Sequence, residues 1–334
     1  MESIRTTMSG CTQTDKPRIA ILMAVYEPRM DWLREQLCSL NAQTYPNLML
    51  YVRDDCSPTV PYEEIQSCLQ ECISAFPYVV QRNEKNLGSN RTFERLTQEA
   101  EGDYFAYCDQ DDVWLPEKLE ILERAMSESG ALLSCSDMYI IDGKGAQIAD
   151  SITKVRKHHV FYSGKELAAG LLTHNFVTGC TMLLQAKLGK RAVPFCPYMV
   201  HDHYLALWCA EQGAIISVEK PLIRYRIHGG NQTGLLAGVY DKASYGRVRI
   251  DAAYCRMAWL KENFPCCAKM KKEIEARLCW LEARQRNWNH RGGAMLVWRY
   301  RKFSQLPSLF EIVACHMPEW LFCKFVELGK RNLV

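Results

Sequence analysis

Residues 18–26 read Arg-Ile-Ala-Ile-Leu-Met-Ala-Val-Tyr, an apolar run opened by one charge. Such a run suits a strand buried on both faces, as strands of a parallel sheet are. Outward from it, strand-like and helix-like segments alternate. Residues 30–42 place Trp32, Leu33, Leu37 and Leu40 at helical spacing. Residues 48–52 form a second strand that runs into Arg53-Asp54-Asp55. Residues 62–76 read as a helix and 78–81 as a third strand. Residues 89–100 read as a helix capped by Ser89 or Asn90. Residues 104–108 are a fourth strand, and 116–126 a helix with proline in its first turn. This alternation predicts βαβ units and a mainly parallel sheet flanked by helices, an α/β fold.

After residue 130 the pattern loosens. Residues 131–135, 138–141 and 178–184 read as strands, 201–212 as a helix, and 215–218 and 222–227 as closing strands. From about residue 240 only helical periodicity remains. The expected organisation is a disordered leader over residues 1–17, an α/β domain over 18–238, and a basic helical region over 239–334. The boundary is placed in the glycine-dotted stretch between Gly229 and Gly238.

Composition narrows the classes. The 334 residues are 48% hydrophobic and 24% charged, which excludes disordered and fibrous chains. No apolar run reaches the roughly 18 residues of a spanning helix. Residues 1–17 lack the apolar core of a signal peptide, so a cytoplasmic protein is expected. The 16 cysteines then read as reduced, mostly buried thiols. With no Cys-x-x-Cys pair among them, structural zinc is not expected. Charge is uneven along the chain. Residues 1–240 hold 23 Lys+Arg against 29 Asp+Glu, whereas residues 241–334 hold 18 against 9. The basic end carries aromatic and aliphatic residues among its charges, as in Met295-Leu296-Val297-Trp298-Arg299-Tyr300. An anionic membrane surface or a second copy of the chain would suit it, and no base-reading motif points to nucleic acid.

The chemistry concentrates in Tyr107-Cys108-Asp109-Gln110-Asp111-Asp112-Val113-Trp114. Three carboxylates within four residues follow directly on a buried strand. Ligands of open α/β sheets bind at the carboxyl ends of strands. Carboxylates crowded there repel one another unless a cation lies among them, and oxygen ligands favour Mg²⁺ or Mn²⁺. An acidic loop that merely caps the next helix would need only Asp111 or Asp112. Asp54-Asp55 and Glu27 end strands at the same edge, and together they outline a nucleotide pocket. Asn86-Leu87-Gly88-Ser89-Asn90-Arg91 is a glycine-containing loop entering a helix, where amides and Arg91 favour an anion.

These motifs, with HNFVTGCTMLL, HDHYLALWCAEQG and YRIHGGNQTG downstream, resemble the family 2 glycosyltransferases of the GT-A fold. The likeness covers roughly residues 18–235 and is strongest to the rhamnosyltransferase-like bacterial polysaccharide branch. Asp109-Gln110-Asp111 falls on the family's Asp-x-Asp motif. The resemblance therefore implies Asp111 and Asp109 as metal ligands, with Asp109 also near the donor's ribose. It implies Asp55 and Glu27 as contacts to the base or ribose, Asp202 as catalytic base, and His228 near the metal or diphosphate. It implies Mn²⁺ or Mg²⁺ as cofactor and inverting transfer from a nucleotide diphosphate sugar. The donor would be dTDP-rhamnose or a UDP-sugar, and the acceptor a glycan or lipid-linked hydroxyl at the inner face of the cell membrane. One departure stands out. Relatives often carry Glu-Asp at the base, and this chain has His201-Asp202-His203. The alternatives are a nucleotidyltransferase of similar fold and a non-catalytic interaction protein. Residues 24–28, Ala-Val-Tyr-Glu-Pro, lack the glycine-rich basic loop of the former. All the carboxylates that the latter would have lost are present.

Overall fold

The computed structural model describes residues 3–5, 15–156, 159–228 and 238–331. Its strands are β1 (Ser3–Arg5), β2 (Ile19–Val25), β3 (Leu48–Asp54), β4 (Tyr78–Arg82), β5 (Tyr104–Cys108), β6 (Val113–Trp114), β7 (Leu133–Ile141), β8 (Gln147–Ala149), β9 (Met182–Gln185) and β10 (Ile215–Arg226). They form one sheet in the order β1-β4-β3-β2-β5-β9-β7-β10-β6, with β8 on β7. The long ladders β2/β3, β2/β5, β3/β4 and β7/β10 are parallel, and the antiparallel ones are short. The sheet is thus mixed, with its parallel part where strand and helix alternate. Ser3–Arg5 lies antiparallel to β4, which corrects the expected leader at those three residues. Most of the remaining leader lies outside the described residues.

The interleaved helices are α1 (Met30–Asn41), α2 (Tyr62–Cys72), α3 (Ser89–Glu99) and α4 (Lys118–Ser129), then the short α5 (Ile152–Val155), α6 (Ala168–Leu171) and α7 (Ala186–Arg191), and α8 (His201–Gln212). The apolar spacing seen in the sequence is the buried stripe of α1, formed by Trp32, Leu33, Leu37 and Leu40. Helix α8 is buried from His203 to Ala210, so it has no polar face to betray its orientation.

Two pairs of expected strands are each one strand. Ser136 and Asp137 look like a break, yet both are buried inside β7. Asp137 is satisfied there by the amides of Met138 and Ile152. Pro221 looks like a terminator, yet β10 passes through it with register shifts on either side. A residue without an N–H is tolerated where the ladder is already irregular.

Chain contacts divide the molecule into two compact units. The first holds the sheet and comprises residues 1–171, 175–195 and 200–228. The second comprises residues 229–334 with 172–174 and 196–199. Its helices are α9 (Lys242–Tyr245), which runs into a π-helical turn at Gly246–Asp251, α10 (Ala252–Asn263), α11 (Ala268–Trp288), α12 (Ala294–Arg299), α13 (Gln305–Ala314) and α14 (Glu319–Arg331). A small core there gathers Val239, Tyr245, Ile250, Ala314, Phe322 and Val326.

Candidate active site

Register decides which acids meet. Val25 pairs with Asp54 and Met23 with Cys108, so β2, β3 and β5 end together. Tyr26-Glu27, Asp55 and the Asp109–Asp112 turn therefore emerge along one sheet edge. β9 joins β5 antiparallel, so the 3₁₀ turn Gly179–Thr181 that precedes β9 arrives at the same edge. β6 joins β10, Trp114 opposite Ile223, and draws the end of β10 onto the acidic turn.

Within the turn the acids do different things. Gln110 exchanges hydrogen bonds with the Tyr26 main chain, accepting from N at 2.8 Å and donating to O at 3.0 Å. Asp111 meets His228, whose Nε2 lies 2.6 Å from Oδ2 across 117 residues of sequence. The His228 ring rests against Trp32, with centroids 4.9 Å apart. Asp112 is fully buried and accepts the Arg226 amide at 3.0 Å. Ligand atoms of Asp109, Asp112 and Cys180 lie within 4.8 Å of one another. Burial, then the charges of Asp111 and Asp202, push the Asp109 carboxyl up to about 7. The Lys118 ammonium lies buried below, donating to the Cys180 carbonyl at 2.5 Å over the Trp114 ring. Burial brings its pKa down to about 7. The expected metal residues are thus divided: Asp111 pairs with His228, and Asp109 lies with Asp112 and Cys180, which were not expected as ligands.

Arg226 was not legible as a site residue. Its side chain is buried, donating to the Asp111 carbonyl at 2.8 Å and to Glu35 Oε2 at 2.5 Å. With its own amide on the Asp112 carboxylate, it holds the Asp111–Asp112 step by one main-chain and one side-chain oxygen. Strand alternation gave no sign of this, because a strand arginine ordinarily faces water.

Asp202 begins α8. Its oxygens accept Asn175 Nδ2 at 3.1 Å and the Gly179 amide at 2.9 Å. Burial outweighs these bonds and pushes its carboxyl up to about 6. Gly179 has no room for a side chain, since a Cβ would stand 2.7 Å from His201 Nε2. His201 packs against Phe93 and Tyr107, at centroid distances of 4.2 and 5.2 Å. Burial drives its pKa down to about 3, so it is neutral at ordinary pH. Its Nε2 is buried without a hydrogen-bond partner among the described residues. The His203 ring meets the Leu171 carbonyl. With His201 held neutral and the His203 ring engaged there, Asp202 is the member of the trio suited to accept a proton.

The residues expected to meet a nucleotide lie on the same edge, with side chains engaged in the loops. Asp55 accepts Asn83 Nδ2 at 2.7 Å and the amides of Leu87 and Gly88, each at 2.8 Å. It thereby holds the Asn86–Arg91 loop against β3, with Gly88 at φ 81° capping α3. Glu27, itself at φ 45°, accepts the Thr59 amide at 2.8 Å and the Thr59 hydroxyl. These bonds lower its pKa. Arg91 is exposed on the first turn of α3. Among the described residues the cysteines are free thiols.

Comparison with known proteins bears on what such an edge does. The family model described as Glycosyl transferase family 2 matches residues 20–191, a span that ends before Asp202 and His228. The chain is 25% identical over 219 residues to "Uncharacterized glycosyltransferase MJ1057" of Methanocaldococcus jannaschii, covering 64% of this chain and 72% of that one. It is 24% identical over 245 residues to the dTDP-rhamnosyl transferase RfbG of Shigella flexneri, covering 68% and 78%. A Rickettsia conorii glycosyltransferase, RC0461, is 24% identical over 276 residues, and the chain spans only 42% of that protein. Among solved structures, S. aureus TarS 1-349 in complex with UDP-GlcNAc superposes with a TM-score of 0.56 at 12% identity, covering 94% of this chain and 92% of that one. The mannosyltransferase PcManGT from Pyrobaculum calidifontis, in complex with GDP-Man and Mn²⁺, gives 0.56 at 13% identity, covering 94% and 86%. At such identities the two structures establish a shared fold.

Proposed function

The chain belongs to glycosyl transferase family 2, and from that premise we propose that it transfers a sugar, with inversion, from a nucleotide diphosphate sugar to an acceptor hydroxyl. The observation that supports this most is the meeting of Asp109, the Asp111–His228 pair and Asp202 at one sheet end. The residues also fit a divalent cation. Buried and half-buried carboxylates crowd there, and Asp111 and Asp202 make ionisation of Asp109 costly. Such crowding is relieved by positive charge. Asp109 and Asp111 would hold Mn²⁺ or Mg²⁺, with His228 beside it. When bound, the ion would offset the charge developing on the departing diphosphate.

The protein's own groups supply the rest. Asp202 accepts the proton of the acceptor hydroxyl, whose oxygen attacks the anomeric carbon opposite the diphosphate. Its raised pKa of about 6 makes it a stronger base than an ordinary aspartate and still lies low enough to leave it mostly ionised at neutral pH. Asn175 and the Gly179 amide fix its orientation. Asp55 and Glu27 shape the nucleotide pocket and contact base or ribose, and Arg91 adds positive charge at the α3 N-terminus.

Rhamnose is our first choice of sugar, on the likeness to RfbG, with UDP-hexoses next. The acceptor is a glycan or lipid-linked hydroxyl in cell-surface polysaccharide synthesis. Among the described residues no helix is long and apolar enough to cross a membrane. Peripheral attachment at the cytoplasmic membrane face, through residues 239–334, is part of the same proposal.

The test is a panel of dTDP-, UDP- and GDP-sugars, assayed for binding and metal-dependent turnover. One donor class should bind and turn over with Mn²⁺ or Mg²⁺, and Asp111→Asn should abolish turnover in a folded protein. Full activity in excess EDTA would refute the metal assignment, and no response to any donor would refute the reaction.

A further inference from the structure

We propose that His290, Cys315 and His316 form a Zn²⁺ site in the second unit, chemically unlike the carboxylate site of the first. A ring nitrogen of each histidine and the Cys315 sulfur lie within 4.8 Å of one another. The two histidines are exposed, with ring centroids 5.2 Å apart, and Cys315 is buried. The ligands come from two places in the chain. His290 follows the C-terminus of α11, and Cys315-His316 follow α13. In a tetrahedral site with metal–nitrogen and metal–sulfur bonds of about 2.0–2.3 Å, ligand atoms stand roughly 3.3–3.7 Å apart. Side-chain rotation of the exposed imidazoles closes that difference.

The donor set selects the metal. Two imidazoles and a thiolate suit Zn²⁺ and not the oxygen-seeking Mg²⁺ or Mn²⁺. Without metal the Cys315 thiol donates to the Ile312 carbonyl at 3.3 Å, a bond that metal binding would replace. Asn287 Nδ2 lies 3.5 Å from Cys315 Sγ, within N–H···S reach, and 3.2 Å from the Glu311 carbonyl. A donor aimed at the sulfur is what supports metal-bound thiolate. The nearby ammonium of Lys242 is occupied by the Cys315 carbonyl at 2.9 Å.

The site also has mechanical sense. Trp288 precedes His290 by two residues, and Ala314 and Met317 flank Cys315-His316; all three belong to the small core or pack on it. A metal would tie the end of α11 to the α13–α14 turn across that core. On binding, the Cys315 thiol loses its proton to solvent and the sulfur takes the metal. Three protein ligands leave the fourth position to water.

Co²⁺ titration of the full, reduced, chelator-stripped chain tests this without recourse to activity. We expect a thiolate-to-cobalt charge-transfer band that saturates at one equivalent and is erased by Zn²⁺. It should be absent from Cys315→Ser, and His290→Gln and His316→Gln should each weaken binding by at least about tenfold. Cys180→Ser should leave it intact. Both histidine changes are at exposed positions, so they decide the matter even if Cys315→Ser fails to fold. Absence of the band, its survival in all three site variants, or its loss in Cys180→Ser would overturn the proposal.

Discussion

Both units bury charge, and they treat it in opposite ways. In the second unit, Glu311 is buried but saturated. Arg284 donates to both its oxygens at 2.6 and 2.5 Å, and the Tyr245 hydroxyl adds a bond of 2.9 Å. In the first unit, Asp109, Asp111, Asp112 and Asp202 gather near the cations Lys118 and Arg226, and Arg226 is spent on main chain and Glu35. A buried carboxylate with matched donors is a structural strut, costly to break. Among the crowded carboxylates, Asp109, Asp112 and Asp202 have their pKa values pushed up by burial, and groups so perturbed mark function. The difference between strut and site is therefore measurable.

The largest effect should come from the site. Asp202→Asn should lower the transfer rate about 10²–10⁴-fold, the ordinary worth of a general base. Donor affinity should stay within about threefold, since the base acts on the acceptor. Loss of donor binding, measured by calorimetry, would move Asp202 to the donor side of the reaction and leave the base unassigned. The strut should behave the other way round. Glu311→Gln leaves Arg284 buried with a weakened partner and should cost about 3 kcal/mol in denaturant unfolding. Its kcat should change little under folding conditions. A stable Glu311→Gln protein with impaired turnover would erase the contrast between the two clusters.

The pH profile sharpens the same point. The Asp202 pKa is raised to about 6, and only the ionised carboxylate can take a proton. The rate should be level above that value and fall about tenfold per pH unit below it. The linkage runs the opposite way: a raised folded-state pKa favours the fold at low pH and loses that advantage as pH rises through about 6. Acid should therefore silence the enzyme before it unfolds it. A rate that stays level down to pH 4.5 would contradict the assignment. Arg226→Lys should give a similar, roughly tenfold, loss together with a higher metal requirement. Lysine cannot reach the Asp111 carbonyl and Glu35 at once. An unchanged metal requirement would make Arg226 a plain packing residue.

How much of this could be read beforehand follows from the range of each interaction. Strands β2, β3 and β5 were legible because burial, nearly complete in β2 and β5 and alternating with half-buried positions in β3, writes an apolar run. So was the edge on which Glu27, Asp55, Asp109 and Asp111 meet, because parallel strands end together. What those side chains do there was not legible. Asp55 binds loop amides 32 and 33 residues away, and Asp111 and His228 meet across 117. The neutral state of His201 depends on Phe93 and Tyr107, which arrive from α3 and β5. Cys180, Lys118 and Arg226 carried no local signal, since each acts on groups that the fold alone brings near. In the second unit the His290 and Cys315-His316 positions are separated by the whole of α12 and α13, so no spacing motif could join them.

The two units also differ at their surfaces. The second unit is the basic one, and it keeps large apolar side chains in water: Trp298 is 51% exposed, Trp320 63%, Phe325 50% and Leu328 55%. Phe322 and Val326 of the same α14 are buried in the small core, so this helix packs inward and still offers apolar surface outward. Amphipathic sequence alone could not separate those two fates. Cations accompany the exposed rings, with Arg301 over Trp298 at 4.2 Å and Lys324 over Trp320 at 5.3 Å. Aromatic rings beside Lys and Arg are suited to the headgroup layer of an anionic membrane. The full chain should float with vesicles containing phosphatidylglycerol at low salt. It should be released as salt shortens the Debye length below about 10 Å. Each ring is only partly withdrawn from water on docking, worth about 1 kcal/mol. Trp320→Ser or Phe325→Ser should then reduce vesicle binding roughly fivefold, and the pair more than either alone. These positions are exposed, so the substitutions leave the fold intact, which unfolding curves check. Equal flotation of wild type and the double variant would show that charge alone holds the chain. No flotation of the wild type at low salt would show that this surface serves packing or a second copy of the chain.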